Sequence, residues 1–219
     1  MAILNHPFLG RISGKLGNLV IYQLNGTTIV REKPQWKKSY QPSALQLLYQ
    51  QKFKKATEAL RPLGKLLDLG YGEFITPTRK GIHLALSQTL KSAMVETEEE
   101  PRVNFEAVLI STGFVSPFEN YRLEWLDERK IQLHWDFLGN YGNTRDTDQT
   151  WIVLYNPDQG IAEEYQESVF RRSQAQEVLL SPRIDLSGAF MYLSFYRKLR
   201  NEKLRFSNSV CVNLGTNTG

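Results

Sequence analysis

Beyond residue 102 the chain becomes a succession of short runs that alternate between apolar and polar residues, and this rhythm limits the fold more than any other feature. Tyr121-Arg-Leu-Glu-Trp125 and Lys130-Ile-Gln-Leu-His-Trp135 flank a turn at Asp127-Glu-Arg129. Leu123 and Trp125 share one side of the first run, and Ile131, Leu133 and Trp135 share one side of the second. A period of two marks a strand with one buried face. Gln149–Tyr155 is β-prone throughout and stops at Asn156-Pro-Asp-Gln-Gly160, a turn sequence. Ile161–Tyr165, Glu177–Leu180, Phe190–Tyr196 and Leu204–Leu214 bring the total to about seven strands. Seven short strands over this length predict a β-sandwich of immunoglobulin or fibronectin type III style. The unbroken apolar run Ala189–Tyr196 predicts a central strand covered on both faces, since left bare it would aggregate.

The front of the chain obeys a different pattern. Between Gly17 and Lys33, two β-prone runs flank Asn25-Gly26, the dipeptide best suited to the positive φ of a two-residue type I′ turn. Leu19 and Ile21 lie on one side of the first run, and Val20, Tyr22 and Leu24 lie on the other. Both faces are largely apolar, so the hairpin needs cover. Ser43 followed by Gln46 predicts a capping box and a helix start. Leu45, Leu48, Tyr49, Phe53, Ala56 and Leu60 then give one apolar stripe. Pro62 ends that helix or opens the next, Gly70-Tyr-Gly72 breaks the chain, and Lys80 to about Val95 predicts another helix. The fold class read from these patterns is α+β: an N-terminal β-hairpin plus helices, followed by the C-terminal sandwich.

Charge divides the chain at nearly the same place. Residues 1–95 hold 14 Lys and Arg against 4 Asp and Glu, and residues 96–219 hold 13 against 19. The change falls at Glu96-Thr-Glu-Glu-Glu-Pro101, where like charges repel and proline interrupts regular structure. The expected organisation is a basic domain over 1–95, an acidic linker over 96–102 and a sandwich over 103–219. At 41% hydrophobic and 23% charged residues, the chain has apolar material for ordinary cores. Its one cysteine, Cys211, excludes an intramolecular disulfide and reads as a small buried hydrophobe between Val210 and Val212. There is no classical signal peptide at the N-terminus and no apolar run of 18 residues, so neither secretion by that route nor a spanning helix is expected. This leaves localisation open between the cytoplasm and assembly into an extracellular particle or surface complex.

Motifs of catalysis and ligand binding do not survive inspection. Gly10-Arg-Ile-Ser-Gly14-Lys15-Leu16-Gly17 resembles a phosphate-cradling loop only superficially. Its glycine spacing is one residue short, Leu16 stands where a Mg²⁺-binding hydroxyl belongs, and a strand follows instead of a helix. His6, His83 and His134 have no partner at metal-ligand spacing, and no Gly-x-Ser-x-Gly elbow is present. The expectation is a non-enzyme with no catalytic residue, no cofactor, no metal and no small-molecule substrate. Trp125, Trp135 and Trp151 are in phase with aliphatic strand positions, which favours core packing over a sugar-stacking platform.

Several stretches of this sequence match a recognisable pattern. They are Gly10-x-x-Ser13-Gly14-Lys15-x-Gly17-x-x-Val20-x-Tyr22, Gly26-x-x-x-Val30-Arg31-x-x-Pro34, a helix bearing Gln50, Gln51 and Phe53, then Pro62, Gly70-Tyr71, Val108-Leu-Ile-Ser-x-Gly113 and Ser207-Asn-Ser-Val210. With these the chain resembles a bacterial family known only as a domain of unknown function (number 6266). The resemblance implies the same layout across most of the chain. It brings no activity, cofactor or site residue with it, and Trp36–Tyr40 and Phe137–Thr147 stand apart from it as local elaborations.

The leading functional expectation is a structural or adaptor protein that joins other protein subunits in a homo- or hetero-assembly, such as a phage-like particle, an injection machine or a surface complex. The residues expected to meet the partner are Arg11, Lys15, Tyr22, Arg31, Trp36, Lys37, Lys38, Lys54 and Lys55. The alternative is a nucleic-acid-binding protein, in which the same basic and aromatic residues would meet phosphates and bases.

Overall fold

A computed structural model describes residues 2–4, 12–24, 26–35, 41–97, 100–165 and 168–214. The fold is mixed, with helices and several antiparallel sheets, and is α+β in class. It resolves into two compact units, residues 1–46 and residues 47–219.

The first unit is a four-stranded antiparallel sheet. Its strands are β1 (Ala2–Leu4), β2 (Gly14–Leu16), β3 (Leu19–Leu24) and β4 (Thr27–Glu32), in the spatial order β1-β4-β3-β2. Leu24 pairs with Thr27, so the β3–β4 connection has two residues, and Gly26 adopts the left-handed φ of +81° that this turn demands. Asn25 lies outside the described residues. Lys15 pairs with Val20, and Val20 with Arg31, which puts the three in one row across the sheet. Gln23 on the other face donates from Nε2 to the Thr28 Oγ1 at 2.7 Å and to the Ile12 carbonyl at 3.2 Å.

Among its described residues the second unit contains three α-helices, α1 (Ala44–Leu60, the first three residues of which fall before the division at 46), α2 (Gly64–Gly70) and α3 (Gly81–Ser92), and ten strands. The strands are β5 (Met94–Val95), β6 (Arg102–Val103), β7 (Arg122–Asp127), β8 (Lys130–His134), β9 (Gln149–Asn156), β10 (Ile161–Tyr165), β11 (Ala175–Leu179), β12 (Phe190–Lys198), β13 (Leu204–Phe206) and β14 (Val210–Asn213). A five-stranded sheet runs β10-β9-β12-β13 with β14 also paired to β12, and a three-stranded sheet runs β11-β8-β7.

One strand shows how these layers are joined. Alternate residues of β9 point to opposite faces. Ile152 and Leu154 enter a core with Ile131, Leu133 and Trp135 of β8, Val178 of β11 and Met191, Leu193 and Phe195 of β12. Trp151, Val153 and Tyr155 enter a second core with Leu60, Leu63, Leu67, Tyr71 and Ala85 from the helical segment. The five-stranded sheet is therefore the middle layer, apolar on both sides, which accounts for the unalternating sequences of β9 and β12. Tyr155 also donates to the Ala59 carbonyl at 2.6 Å, tying β9 to α1.

Two expectations change. Met94 and Val95 do not extend α3; they pair with Val103 and Arg102, so the acidic stretch is the loop of a small hairpin inside the second unit. Glu98 and Glu99 lie outside the described residues. The helices meanwhile share a core with the sheet, across the charge boundary, because their apolar faces match Trp151, Val153, Tyr155 and Tyr192.

Candidate interaction surfaces

Ser43 caps α1 as its sequence predicts. The Ser43 backbone N–H donates to the Gln46 Oε1 at 2.9 Å, and the Gln46 N–H donates to the Ser43 Oγ at 3.3 Å. The apolar stripe downstream behaves differently along its length. Ala56 and Leu60 are fully buried, whereas Leu45, Tyr49 and Phe53 are 61%, 60% and 53% exposed. Periodicity reports that a stripe exists, and only packing decides how much of it is covered.

The lysines of α1 have partners in the acidic loop. Lys55 meets Glu100 at 2.6 Å, Lys52 pairs with Glu96, and Lys54 lies 4.0 Å from Glu58 one turn on. The Lys55 ammonium, through a hydrogen bond and its charge, holds the Glu100 carboxyl below its ordinary pKa. Much of the basic excess expected to seek a partner is thus neutralised inside the second unit, which carries 21 Lys and Arg against 22 Asp and Glu. The first unit keeps its imbalance, with six cations and the single acid Glu32.

On the β3–β4 face, the Arg31 guanidinium sits over the Tyr22 ring at 5.4 Å from its centroid, and Lys15 occupies the row of Val20 and Arg31. This brings together three residues expected to bind a partner. Leu24 on that face is 49% exposed, and Leu16 on the opposite face is 70% exposed. Across β2, β3 and β4, Ile29 is the only buried hydrophobe. Lys54 and Lys55 belong to the second unit, where they pair with Glu58 and Glu100. Arg11, Trp36, Lys37 and Lys38 lie outside the described residues.

The second unit contains a network that sequence reasoning missed. Asp148 is fully buried; its Oδ1 accepts from Arg197 Nε at 2.7 Å, its Oδ2 accepts from the Arg145 backbone N–H at 2.9 Å, and Arg171 Nε lies 3.4 Å from the same Oδ2. The Arg171 guanidinium stacks 3.7 Å from the centroid of Phe195 and donates to the Ser116 carbonyl. Burial pulls its pKa down, while the Asp148 carboxylate opposes that shift. The arrangement fastens the loop ahead of β9 to the sheet. Nothing in the sequence around Asp148 distinguishes it from a solvated loop acid.

The segments Gly70-Tyr71, Val108–Gly113 and Ser207–Val210 converge on a buried junction. Ser111 and Ser194 share a hydrogen bond between their hydroxyls at 2.6 Å, and the Ser209 Oγ accepts from the Ile110 N–H at 2.9 Å. A Cβ on Gly70 would lie 2.3 Å from the Ile110 carbonyl oxygen, and one on Gly113 would lie 2.2 Å from that of Phe206. Tyr71 donates to the Leu109 carbonyl at 3.0 Å, and burial raises its pKa well above the ordinary tyrosine value.

Beside this junction an open groove of about 370 Å³ is lined by Tyr71, Phe74, Arg79, Gln88, Lys91 and Asn208, among others. Trp135 and Trp151 are buried, and Trp125 packs against the sheet core, so the described tryptophans do not form a stacking platform for sugars. His83 serves the start of α3, its Nδ1 accepting from the Lys80 N–H at 3.2 Å. Burial pushes the Cys211 thiol up to a pKa of about 12. Among the described residues, no three His, Cys, Asp or Glu side chains gather as metal ligands would. No helix of the described residues is long and apolar enough to cross a membrane.

A search of the curated proteins finds no match. The pattern that defines a family of unknown function (DUF6266) matches residues 11–210, from just ahead of β2 to the start of β14. The segments that meet at the Ser111 junction and the strands β2, β3 and β4 of the N-terminal sheet all fall within that span, and the chain belongs to this family.

Proposed function

We propose that the protein is a non-catalytic structural or adaptor subunit that docks into a larger protein assembly through its N-terminal sheet. The observation that carries this reading is a sheet with apolar residues on both faces and, in β2, β3 and β4, one buried hydrophobe, within a unit whose sequence holds six cations to one acid. Small sheets hold together when an apolar face is covered, and this one leaves Leu16 and Leu24 open. The partner it fits presents an apolar patch rimmed by carboxylates, matched to Val20, Tyr22 and Leu24 beside Lys15 and Arg31. The second unit fits the role of a rigid platform. Its two facing sheets, which share one core, are in keeping with a fibronectin type III-like sandwich, elaborated by helices on the outer side.

Light scattering coupled to size exclusion, on the full chain purified from its native cells at low and high salt, tests this reading. The expected result is a complex heavier than the monomer that Tyr22→Ala with Arg31→Glu dissociates. A monomer at every salt concentration overturns it.

Nucleic acid is the second reading, favoured by the Arg31–Tyr22 stack within a strongly basic unit. It requires DNA or RNA affinity that declines steeply with salt. A gel-shift assay at about 50 mM salt with no retarded band removes it.

A further inference from the structure

The groove beside α3 has a chemistry that the N-terminal sheet does not explain. Two cations, Arg79 and Lys91, line it, and none of its ten lining residues is Asp or Glu. Several other cations of the second unit are matched to carboxylates, among them Lys52 to Glu96, Lys55 to Glu100, Arg205 to Glu73 and Arg197 to Asp148. Neither Arg79 nor Lys91 has an ion pair or a side-chain hydrogen bond among the described residues.

We propose that this groove binds an acidic peptide segment that carries an apolar or aromatic side chain. Three features select that class. The first is charge, because two unpartnered cations in a concave site attract carboxylates and reject basic ligands. The second is an apolar floor made by the Tyr71 ring, Leu84 and Leu109. The Tyr71 hydroxyl is committed to the Leu109 carbonyl, and its ring, only 3% exposed, backs this floor from the core. At the mouth, Phe74 lies with its ring centroid 6.1 Å from that of the exposed Phe114, which widens the apolar contact.

The third feature is the polar lining, which separates a peptide from a phosphate. Asn208 Oδ1 accepts from the Thr112 hydroxyl at 2.8 Å and from the Gly113 N–H at 3.3 Å, and its NH₂ makes no hydrogen bond among the described residues. Gln88 contributes a second amide and Ser87 a hydroxyl. Amides and hydroxyls both donate and accept, as a peptide bond does. Phosphate presents mainly acceptors and no apolar part, so it would use the donors of this lining and leave its apolar floor uncovered. At about 370 Å³ the groove sits near the small end of ligand-pocket volumes, about 300–1,000 Å³, and takes a short segment. The site belongs wholly to the second unit, so it stands whether or not the N-terminal sheet docks as proposed.

The test uses the full chain with acetyl-Asp-Phe-Glu-amide, acetyl-Lys-Phe-Lys-amide and inorganic phosphate as probes, followed by NMR titration. Saturable binding of the acidic peptide is expected, with shifts at Tyr71, Gln88, Lys91 and Asn208, and affinity falling as salt rises. Arg79→Glu with Lys91→Glu weakens it by about tenfold or more, the loss of a charge-assisted hydrogen bond. Arg79→Gln with Lys91→Gln gives a smaller loss in the same direction, and Arg31→Glu binds like the parent. Equal binding of the lysine peptide, displacement by phosphate at equal concentration, or unchanged affinity in both double variants overturns the proposal.

Discussion

The carboxylate of Asp148 receives the Arg197 Nε at 2.7 Å while retaining no solvent-exposed surface of its own. Arg171, nearly as buried, lies 3.4 Å from its other oxygen. Removing one member of a buried ionic group leaves its partners charged and unsolvated. Asp148→Ala is therefore expected to cost about 3–5 kcal/mol, measured by urea unfolding. Arg197, which is partly open to water, costs less when replaced by alanine; equal losses from the two substitutions would mean that the Asp148–Arg171 contact adds nothing to stability.

Glycine substitutions separate close packing from mere conformational freedom. A Cβ at Gly81 would lie 2.1 Å from the Leu67 carbonyl oxygen, and the corresponding distance at Gly113 is 2.2 Å, in both cases against backbone that cannot rotate away. Gly81→Ala and Gly113→Ala should each lose about 1–3 kcal/mol. Gly64 has helical backbone angles and open space where its Cβ would go. Gly64→Ala should be stabilising by about 0.4–1 kcal/mol, and the three melting temperatures provide the check.

Alkaline pH should unfold the second unit in a definable window. Burial raises the Tyr155 phenol to about 12 and the Cys211 thiol to about 12, and it lifts Tyr192 and Tyr71 as well. In the unfolded chain the same groups ionise near 10 and 9. The folded state holds these protons more tightly, so stability is complete below pH 9 and falls as pH rises toward 12. Tyr155→Phe should flatten that decline while losing the Ala59 hydrogen bond at neutral pH. Denaturant midpoints across the range report both effects.

The capping box at Ser43 makes a local prediction. Ser43→Ala is expected to weaken the start of α1 by about 1 kcal/mol. Faster amide exchange confined to the first turns of the helix is the signature, and unchanged exchange there counts against the cap.

Sequence reveals some of this architecture because some of it is written locally. The turn at Gly26, the cap at Ser43 and the buried run in β12 each follow from neighbours in the chain. The partners of these elements do not. Trp151 and Ile152 are adjacent yet serve different cores, and no local pattern says that helices cover one side of β9. The change in charge at Glu96 marks a hairpin loop that neutralises α1, because electrostatic pairing joins residues more than 40 positions apart. Asp148, Arg171 and Arg197 are illegible for the same reason. Of the expected contact residues, Lys15, Tyr22 and Arg31 do share a face, which the β3–β4 alternation could foretell once Gly26 had set the register.

A strand lined on either side by separate cores acts as a party wall. Scissors placed at the acidic loop would strip α1, α2 and α3 from β9 and lay bare Trp151, Val153, Tyr155 and Tyr192 together. Anyone seeking a shorter, well-behaved fragment should instead trim ahead of Ser43, which keeps the cap of α1 and the whole of the second unit. The change in charge falls within the second unit, in the loop between β5 and β6.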